Sequence, residues 1–599
     1  MYHFKTKLTM KYIKIIVLVL ITFNYIACSD DFLNEPPLDT LTENDVWKDK
    51  ALMDAYLFKI YDNIPWDYLK DFWGAGGVFR DGLSDIARGT YSWTDSNSFF
   101  RPGEWGTANN RWPLDNWGYE NIWRINYSLQ SIESLEEGVL LDTEKENRLG
   151  ELYFLRAYSY FAMVKRYGGV PIILDAQNPE TTPEEELWPT RNTEQEVYDQ
   201  ILADTQKAFD MLPNRWSEEK GRVSKWAAKA FESRAALYAG SIAKYGTVKL
   251  EGLVGIPNGL ADGYYNIALT AATKVIAEGG YTLFNAYSNP TENYTKLFLD
   301  ETADETIYAK IWLPFEKGHS YDLRTVPFSY RVDWGSSMSP TKQFVDSYEM
   351  LSTGLLPSES GSGYDANNPF EGRDPRLKAT ILTNNDMFQG LPVETWYATD
   401  NNGTLDETKE TGIGKDGIGI HPDATKTGFY VRKYLTDGST PLYIKEYYSG
   451  QDCILFRLGE VYLNAAEAAV ELGLESVAKD NIEPIRVRAG LAQNLRLESY
   501  AGDELRDRIR NERKLELAFE DHRYWDVRRW RIAEEALSIQ VEGVKTLRKI
   551  SASGTVTFTH EVFEAETEKM KFSPKHYYLP IGQDRISNNP KLIENPDFN

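Results

Sequence analysis

Cysteine is nearly absent from this chain, with two in 599 residues, Cys28 and Cys453. Two cysteines build neither a disulfide framework nor a cysteine-based zinc site. Histidine is also scarce, six in all, and none stand at HExxH or another paired metal-ligand spacing. Positive charge is short too: 66 Lys and Arg face 90 Asp and Glu, for a formal net charge of -24. Such a chain repels nucleic-acid phosphates and anionic lipid head groups, so neither is an expected partner. No GxxxxGK[ST] or GxSxG occurs, which removes the phosphate-cradling loop and the nucleophile elbow. A literal GxGxxG at Gly412, Gly414 and Gly417 lies among loop residues rather than between a strand and a helix, and reads as a turn. TDNNGTLDE is rich in oxygen ligands but misses the 12-residue register of a calcium loop, and reads as a solvated turn.

Long apolar runs are missing beyond the first residues. Lys5, Lys7, Lys11 and Lys14 precede an apolar stretch from Ile15 to Phe23, which is too short to span a bilayer comfortably. Residues 1–27 read as a signal peptide, and cleavage before Cys28 leaves a thiol at the new terminus as a lipid acceptor. The alternative is ordinary cleavage with Cys28 as a passenger. Loss of four lysines and no acids takes the charge from -24 to -28. Cys453 then has no intramolecular partner and is expected to be a small buried apolar residue.

What the chain has in excess is helical pattern and aromatic rings. ELYFLRAYSYFAMVKRYGG places Leu152, Leu155, Ser159 and Ala162 on one face and predicts a largely buried helix stopped by Gly168 and Gly169. RNTEQEVYDQILADTQKAFDMLP carries Thr193 and Glu196 at capping-box spacing, with Pro213 as a stop. VSKWAAKAFESRAALYAG is alanine-rich, as close helix neighbours require, and GYYNIALTAATKVIAEGG ends at Gly279 and Gly280. These pairs have tetratricopeptide character without a strict 34-residue repeat. Helices return with FRLGEVYLNAAEAAVELG, NIEPIRVRAGL and ELRDRIRNERKLELAFEDHRYWDVRRW. Between the helical parts lie two loop-rich regions. Residues 65–123 hold seven of the 16 tryptophans, and 285–448 mixes short strand-like pieces (ETIYAKIWL, FYVRKYL) with Gly/Asn/Asp loops.

LRAYSYFAMVKRYGGVPII, RPGEWG leading to NIWRINYSLQSIESL, GRDPRL, FRLGEVYLNAAEAA, ERKLELAFEDHRYWDVRRW and YYLPIGQDRISNNPKLIENPDF resemble, in this order, the SusD/RagB family of Bacteroidetes outer-membrane nutrient-binding lipoproteins. Asp521 stands where the family usually has Gly, and Gly582 where it usually has Pro; Asp tolerates a left-handed backbone better than most residues. The resemblance implies a mostly α fold, a tetratricopeptide-like scaffold with loop-rich aromatic insertions carrying short strands, as one domain over 28–599. It implies a lipid on Cys28, with Asp30 and Asp31 as part of a surface-export signal. It implies capture of a glycan, or of a peptide in some members, and delivery to a SusC-like TonB-dependent β-barrel transporter. No cofactor and no metal are implied.

Sugar rings have apolar C–H faces and hydroxyl edges, so a binder needs flat aromatic platforms edged by groups that donate and accept hydrogen bonds. FRDGLSDIARGTYSWTDSNSFFRPGEWG interleaves Trp93 and Trp105 with Asp85, Arg88 and Asn97, and VPFSYRVDWGSSMSPTKQFVDSY places Tyr330 and Trp334 around Arg331 and Asp333. The family builds its ligand face from these two regions, so Asp85, Arg88, Trp93, Tyr330 and Trp334 are candidates by motif position; any single tryptophan among them could equally be core. Two other function classes remain. Glu460 or Glu516 could serve a helical glycoside hydrolase, which needs two carboxyls about 5 to 10 Å apart across a sugar. Against it, Glu512, Glu516 and Glu520 recur every four residues and read as an ion-pair network with Arg523, Arg528 and Arg529 just beyond. The third reading is a helical-repeat scaffold that grips another polypeptide, with the aromatics as core.

Overall fold

The computed structural model describes residues 43–66, 77–93, 101, 103, 114–217, 221–398, 412–436, 445–551 and 553–598. Cys28, Asn97, Trp105 and TDNNGTLDE lie outside them. The chain divides into two compact units, one of residues up to Lys59 together with Leu135–Leu140, the other of all the rest. The described part of the first holds a short helix Glu43–Val46, most of α1 (Lys50–Asn63) and Leu135–Leu140, with Trp47 edge-on to Tyr56 at 5.7 Å.

The second unit is built on consecutive helices, α2 (Tyr119–Glu133), α3 (Asp142–Tyr167), α4 (Glu194–Met211), α5 (Lys225–Tyr245) and α6 (Ala261–Glu278), each packed on the next. α3 is buried around its whole circumference over its second half, as its continuous aromatic and aliphatic run requires. It stops where predicted: Gly168 adopts φ +74, and a Cβ there would sit 2.7 Å from the Leu253 carbonyl. The Thr193/Glu196 capping box forms. Alanines let α5 approach its neighbours, and at Gly240 a Cβ would lie 3.0 Å from the Tyr265 ring of α6.

After α6 the chain leaves the scaffold through β2 (Thr306–Lys310) and returns through β5 (Cys453–Arg457) into α7 (Leu458–Glu471), which packs on α6. β2 and β5 pair antiparallel and so close the stem of the long insertion. Phe456 of β5 lies 5.8 Å from Phe231 of α5 and 6.3 Å from Phe154 of α3, an aromatic cluster that fixes the stem to the scaffold. Each such ring contributes about 1.5–3 kcal/mol of burial. Cys453 is a buried free thiol, as its composition-level reading expects.

α8 (Glu475–Arg488) and α9 (Gly502–Glu516) pack beside α7, and α10 (Arg523–Arg529) packs on α5. Two sequence boundaries are corrected. The predicted helix from 456 begins at Leu458, because Phe456 and Arg457 extend β5. Glu520 does not share α9 with Glu512 and Glu516: the helix ends at Glu516, and Phe519 (φ +59) and Asp521 (φ +63) turn the chain through left-handed conformations. Asp521 thus adopts the backbone that a glycine would favour, and its carboxylate pairs with Arg80 at 2.8 Å.

The strands are short apart from one hairpin that sequence reading passed over, β6 (Glu542–Ile550) with β7 (Val556–Glu564). β6 also pairs in parallel with β4 (Trp396–Ala398). Gly414 and Gly417 form a turn beside β4, the Gly417 N–H donating to the Gly414 carbonyl at 2.8 Å.

Candidate aromatic binding face

Two strands set the geometry of the face. β1 (Ala87–Gly89) and β3 (Met338–Pro340) pair antiparallel, Arg88 opposite Ser339. Thr90 N–H donates to the Ser337 carbonyl at 2.9 Å, and the Thr90 and Ser339 hydroxyls, 249 residues apart in sequence, share a 2.9 Å bond. This register carries the residues after β1 alongside those before β3. Tyr91 is buried, with its hydroxyl donating to the Gly335 carbonyl, and Trp93 stacks on it at 5.7 Å with 14° between the planes. Trp334 stands edge-on to both, 5.9 Å from Tyr91 and 6.1 Å from Trp93. Trp93 remains 49% exposed. The indole thus lies half open to solvent on a buried aromatic base, a geometry that suits an aromatic platform.

Contacts run on from Trp334. The Arg324 guanidinium covers the Trp334 ring at 4.8 Å and donates to the Glu446 carboxylate at 2.7 Å. Next to Glu446, Tyr447 is 58% exposed, its backbone N–H donating to Ser320 Oγ at 3.0 Å. Phe315, 61% exposed, meets Tyr448 edge-on at 5.0 Å. Tyr447 and Phe315 both have left-handed backbones, φ +62 and +69. For bulky residues this conformation is strained by about 1–3 kcal/mol, and such strain concentrates at functional positions.

Tyr330 does not join the Trp93–Trp334 cluster in any described ring contact. Its hydroxyl donates to the Phe388 carbonyl at 2.6 Å, and its half-exposed ring meets Phe388 edge-on at 5.0 Å. Asp85 and Arg88 each have an internal partner. The Asp85 carboxylate takes two hydrogen bonds from Arg523, at 2.7 and 2.8 Å, an internal pair to α10. Arg88 pairs with Glu566 at 3.1 Å and donates to the Ala565 carbonyl at 3.1 Å. Tyr91, Arg324, Tyr447 and Phe315 were not singled out from sequence. Tyr91, two residues before Trp93 in the same loop, was legible in principle; the other three depend on backbone conformation and distant partners.

The carboxylates weighed for hydrolysis are sealed. Glu460 is bound by Arg234 through two 2.6 Å contacts. Glu516 receives Arg457 at 2.7 Å, Arg376 at 2.9 Å, and Arg488, with its side chain fully buried. Burial opposes its ionisation, but these three guanidiniums hold its pKa far below the usual carboxylate range. Both carboxylates are buried and spent on internal ion pairs. Among the described residues no group of three or more His, Cys, Asp or Glu is placed to hold a metal, and no helix is long and apolar enough to cross a membrane.

Comparison with known proteins agrees with this architecture. The SusD family profile matches residues 304–598, and a second profile, described as starch-binding associating with outer membrane, matches 31–237. A SusD-like protein of Bacteroides ovatus is 22% identical over 97% of each chain. A SusD-like protein of Bacteroides fragilis of known structure superposes with a TM-score of 0.71 at 25% identity, over 94% of this chain and 100% of that one. A SusD-like carbohydrate-binding protein of the same species gives a TM-score of 0.69 at 23% identity, over 92% of this chain and 100% of the other. The ordered motifs, the helical scaffold with its closed-stem insertion and these matches together establish that the chain belongs to the SusD family.

Proposed function

We propose that this protein captures a glycan on the platform of Trp93 and Trp334 at the outer surface of the cell and delivers it to a TonB-dependent β-barrel transporter, without changing it chemically. The single observation that carries the reading is the half-open Trp93 ring held on Tyr91 beside Trp334. An aromatic surface of this kind matches the C–H face of a sugar ring, and Tyr447 and Phe315 extend it for a longer chain. The carbohydrate binding of a structural relative and the outer-membrane description of the matching profile support the same reading. Anchorage by acylated Cys28 keeps the protein beside its transporter, and the tether raises the effective concentration of each for the other.

The test is a glycan array probed with the soluble protein and with the Trp93→Ala, Trp334→Ala double variant. The double variant is expected to bind the best polysaccharide about tenfold more weakly or worse, each ring being worth on the order of 1 kcal/mol, with an unchanged melting temperature. Equal binding, or a loss of several kcal/mol of stability, overturns the platform. Purification from native membranes in mild detergent is expected to recover a large β-barrel protein, and Cys28→Ala to abolish fatty-acid labelling.

A further inference from the structure

A cleft of about 400 Å³ opens beside the platform, lined by Ser92, between Tyr91 and Trp93, and by Arg88, Arg101, Glu566, Glu568 and Lys569. Its volume lies in the range of small-molecule sites, about 300–1,000 Å³. The charges in it are unusual for so acidic a chain. Arg88 and Arg101 converge on one carboxylate, Glu566, at 3.1 and 2.6 Å, and among the described residues it is the sole carboxylate in contact with either. Their remaining contacts are carbonyls: Ala565 and Gly89 for Arg88, Gly82 for Arg101. Lys569 contacts no carboxylate among the described residues, and Glu568 is drawn to Lys571 at 3.8 Å. Behind Arg88 stands Lys426, whose backbone N–H donates to Ser339 Oγ at 3.0 Å, the residue opposite Arg88 across β1 and β3. The Lys426 ammonium donates to the Pro422 carbonyl. Burial, and then Arg88 itself, lower its pKa.

Among the described residues Arg88, Arg101 and Lys569 face Glu566 and Glu568 in the lining, an excess of one positive charge at the wall of an open cleft, with Lys426 behind Arg88. A guanidinium is a planar fork that fits carboxylate and sulfate oxygens, and its charge-assisted hydrogen bonds gain strength where water is partly excluded. Resting on the proposed capture of a glycan at Trp93, we infer that this cleft receives an anionic substituent, a uronate carboxylate or a sulfate ester, of the sugar chain lying on the platform. The ligand class is thereby narrowed from glycans in general to acidic ones.

Affinity electrophoresis tests this with alginate and polygalacturonate as uronate polymers, carrageenan and chondroitin 6-sulfate as sulfated ones, and laminarin and starch as neutral ones. At least one acidic polymer is expected to retard the protein, less so as salt rises; the uronate and sulfate arms show which group is read. Lys426→Gln with Lys569→Gln, neither in an ion pair, should weaken that retardation roughly threefold to tenfold at an unchanged melting temperature. Arg88→Gln should do the same or more, and Glu566→Gln, which removes the competing carboxylate, should not weaken it. Retardation by neutral polymers alone overturns the inference and leaves capture standing, as does full binding of acidic polymer by the lysine double variant. If no polymer of any kind is retained and Trp93→Ala, Trp334→Ala behaves as wild type, both readings fall.

Discussion

Two arginine clusters of this molecule use the same side chain in opposite ways. Around Glu516, Arg376 also reaches Asp374 and Glu512, at 2.7 and 2.6 Å, Arg457 also reaches Glu305 and Glu520, at 2.8 and 2.7 Å, and Arg488 also reaches Glu305 at 2.8 Å. Every guanidinium there has more than one carboxylate, and all are sealed from water. The cluster joins Glu305 at the foot of β2, Arg457 at the end of β5 and the helices α8 and α9, so it locks the stem of the insertion to the scaffold. At the cleft beside Trp93, two guanidiniums share one carboxylate at the edge of solvent. The ratio of acids to arginines, and access to water, separate a charge spent on structure from one available to a ligand.

The largest effect expected from breaking this contrast is at the sealed cluster. Glu516→Gln leaves three guanidiniums short of a buried counter-charge and should cost about 3–5 kcal/mol in denaturant melts. A cost below about 1 kcal/mol would make the two clusters equivalent and end the comparison.

A second buried ion pair, Glu467 of α7 with Arg529 of α10, gives the sealed side of the contrast a pH signature. Burial opposes ionisation of Glu467, yet Arg529, with Arg513 and Arg510 behind it, lowers its pKa to about 2. A depressed carboxyl stabilises the fold above its ordinary range and loses that contribution as pH falls through about 2. Glu467 should thus contribute on the order of 3 kcal/mol at neutral pH. Unfolding free energies of Glu467→Gln and wild type should converge as pH drops from about 5 towards 2.

The Asp85–Arg523 pair is mostly buried, and Asp85→Asn should cost about 1–2 kcal/mol while leaving glycan binding intact. A binding loss without a stability loss would return Asp85 to the ligand face. The smallest effect is sought at Phe315, where glycine accepts the left-handed backbone: Phe315→Gly should change stability by less than about 1 kcal/mol and weaken long glycans more than short ones.

The scaffold was legible because its signals are local. The capping box at Thr193, the stop at Gly168 and the alanine-rich face of α5 each act within a few turns of chain. The β6–β7 hairpin was missed because its outer strand is largely exposed and carries no clean apolar alternation, and because β4, which lies before it in the chain, supplies its third strand. Aromatic texture in polar loops picked out Trp93 and Trp334, and pairing of β1 with β3 places their rings together. The same texture could not reveal that Asp85 and Arg88 have partners more than 400 residues away, at Arg523 and Ala565. Charge in a loop is visible in sequence, but its commitment to a distant partner is not.

Cys453 sits at the start of β5, the strand that ends in Arg457, and is fully buried, its thiol pushed up by burial away from the reactive thiolate. A maleimide in native buffer can therefore reach it only when this strand parts from its neighbours. The rate of its alkylation times the opening of the stem of the insertion, which makes this buried thiol a built-in clock for the joint between scaffold and insertion.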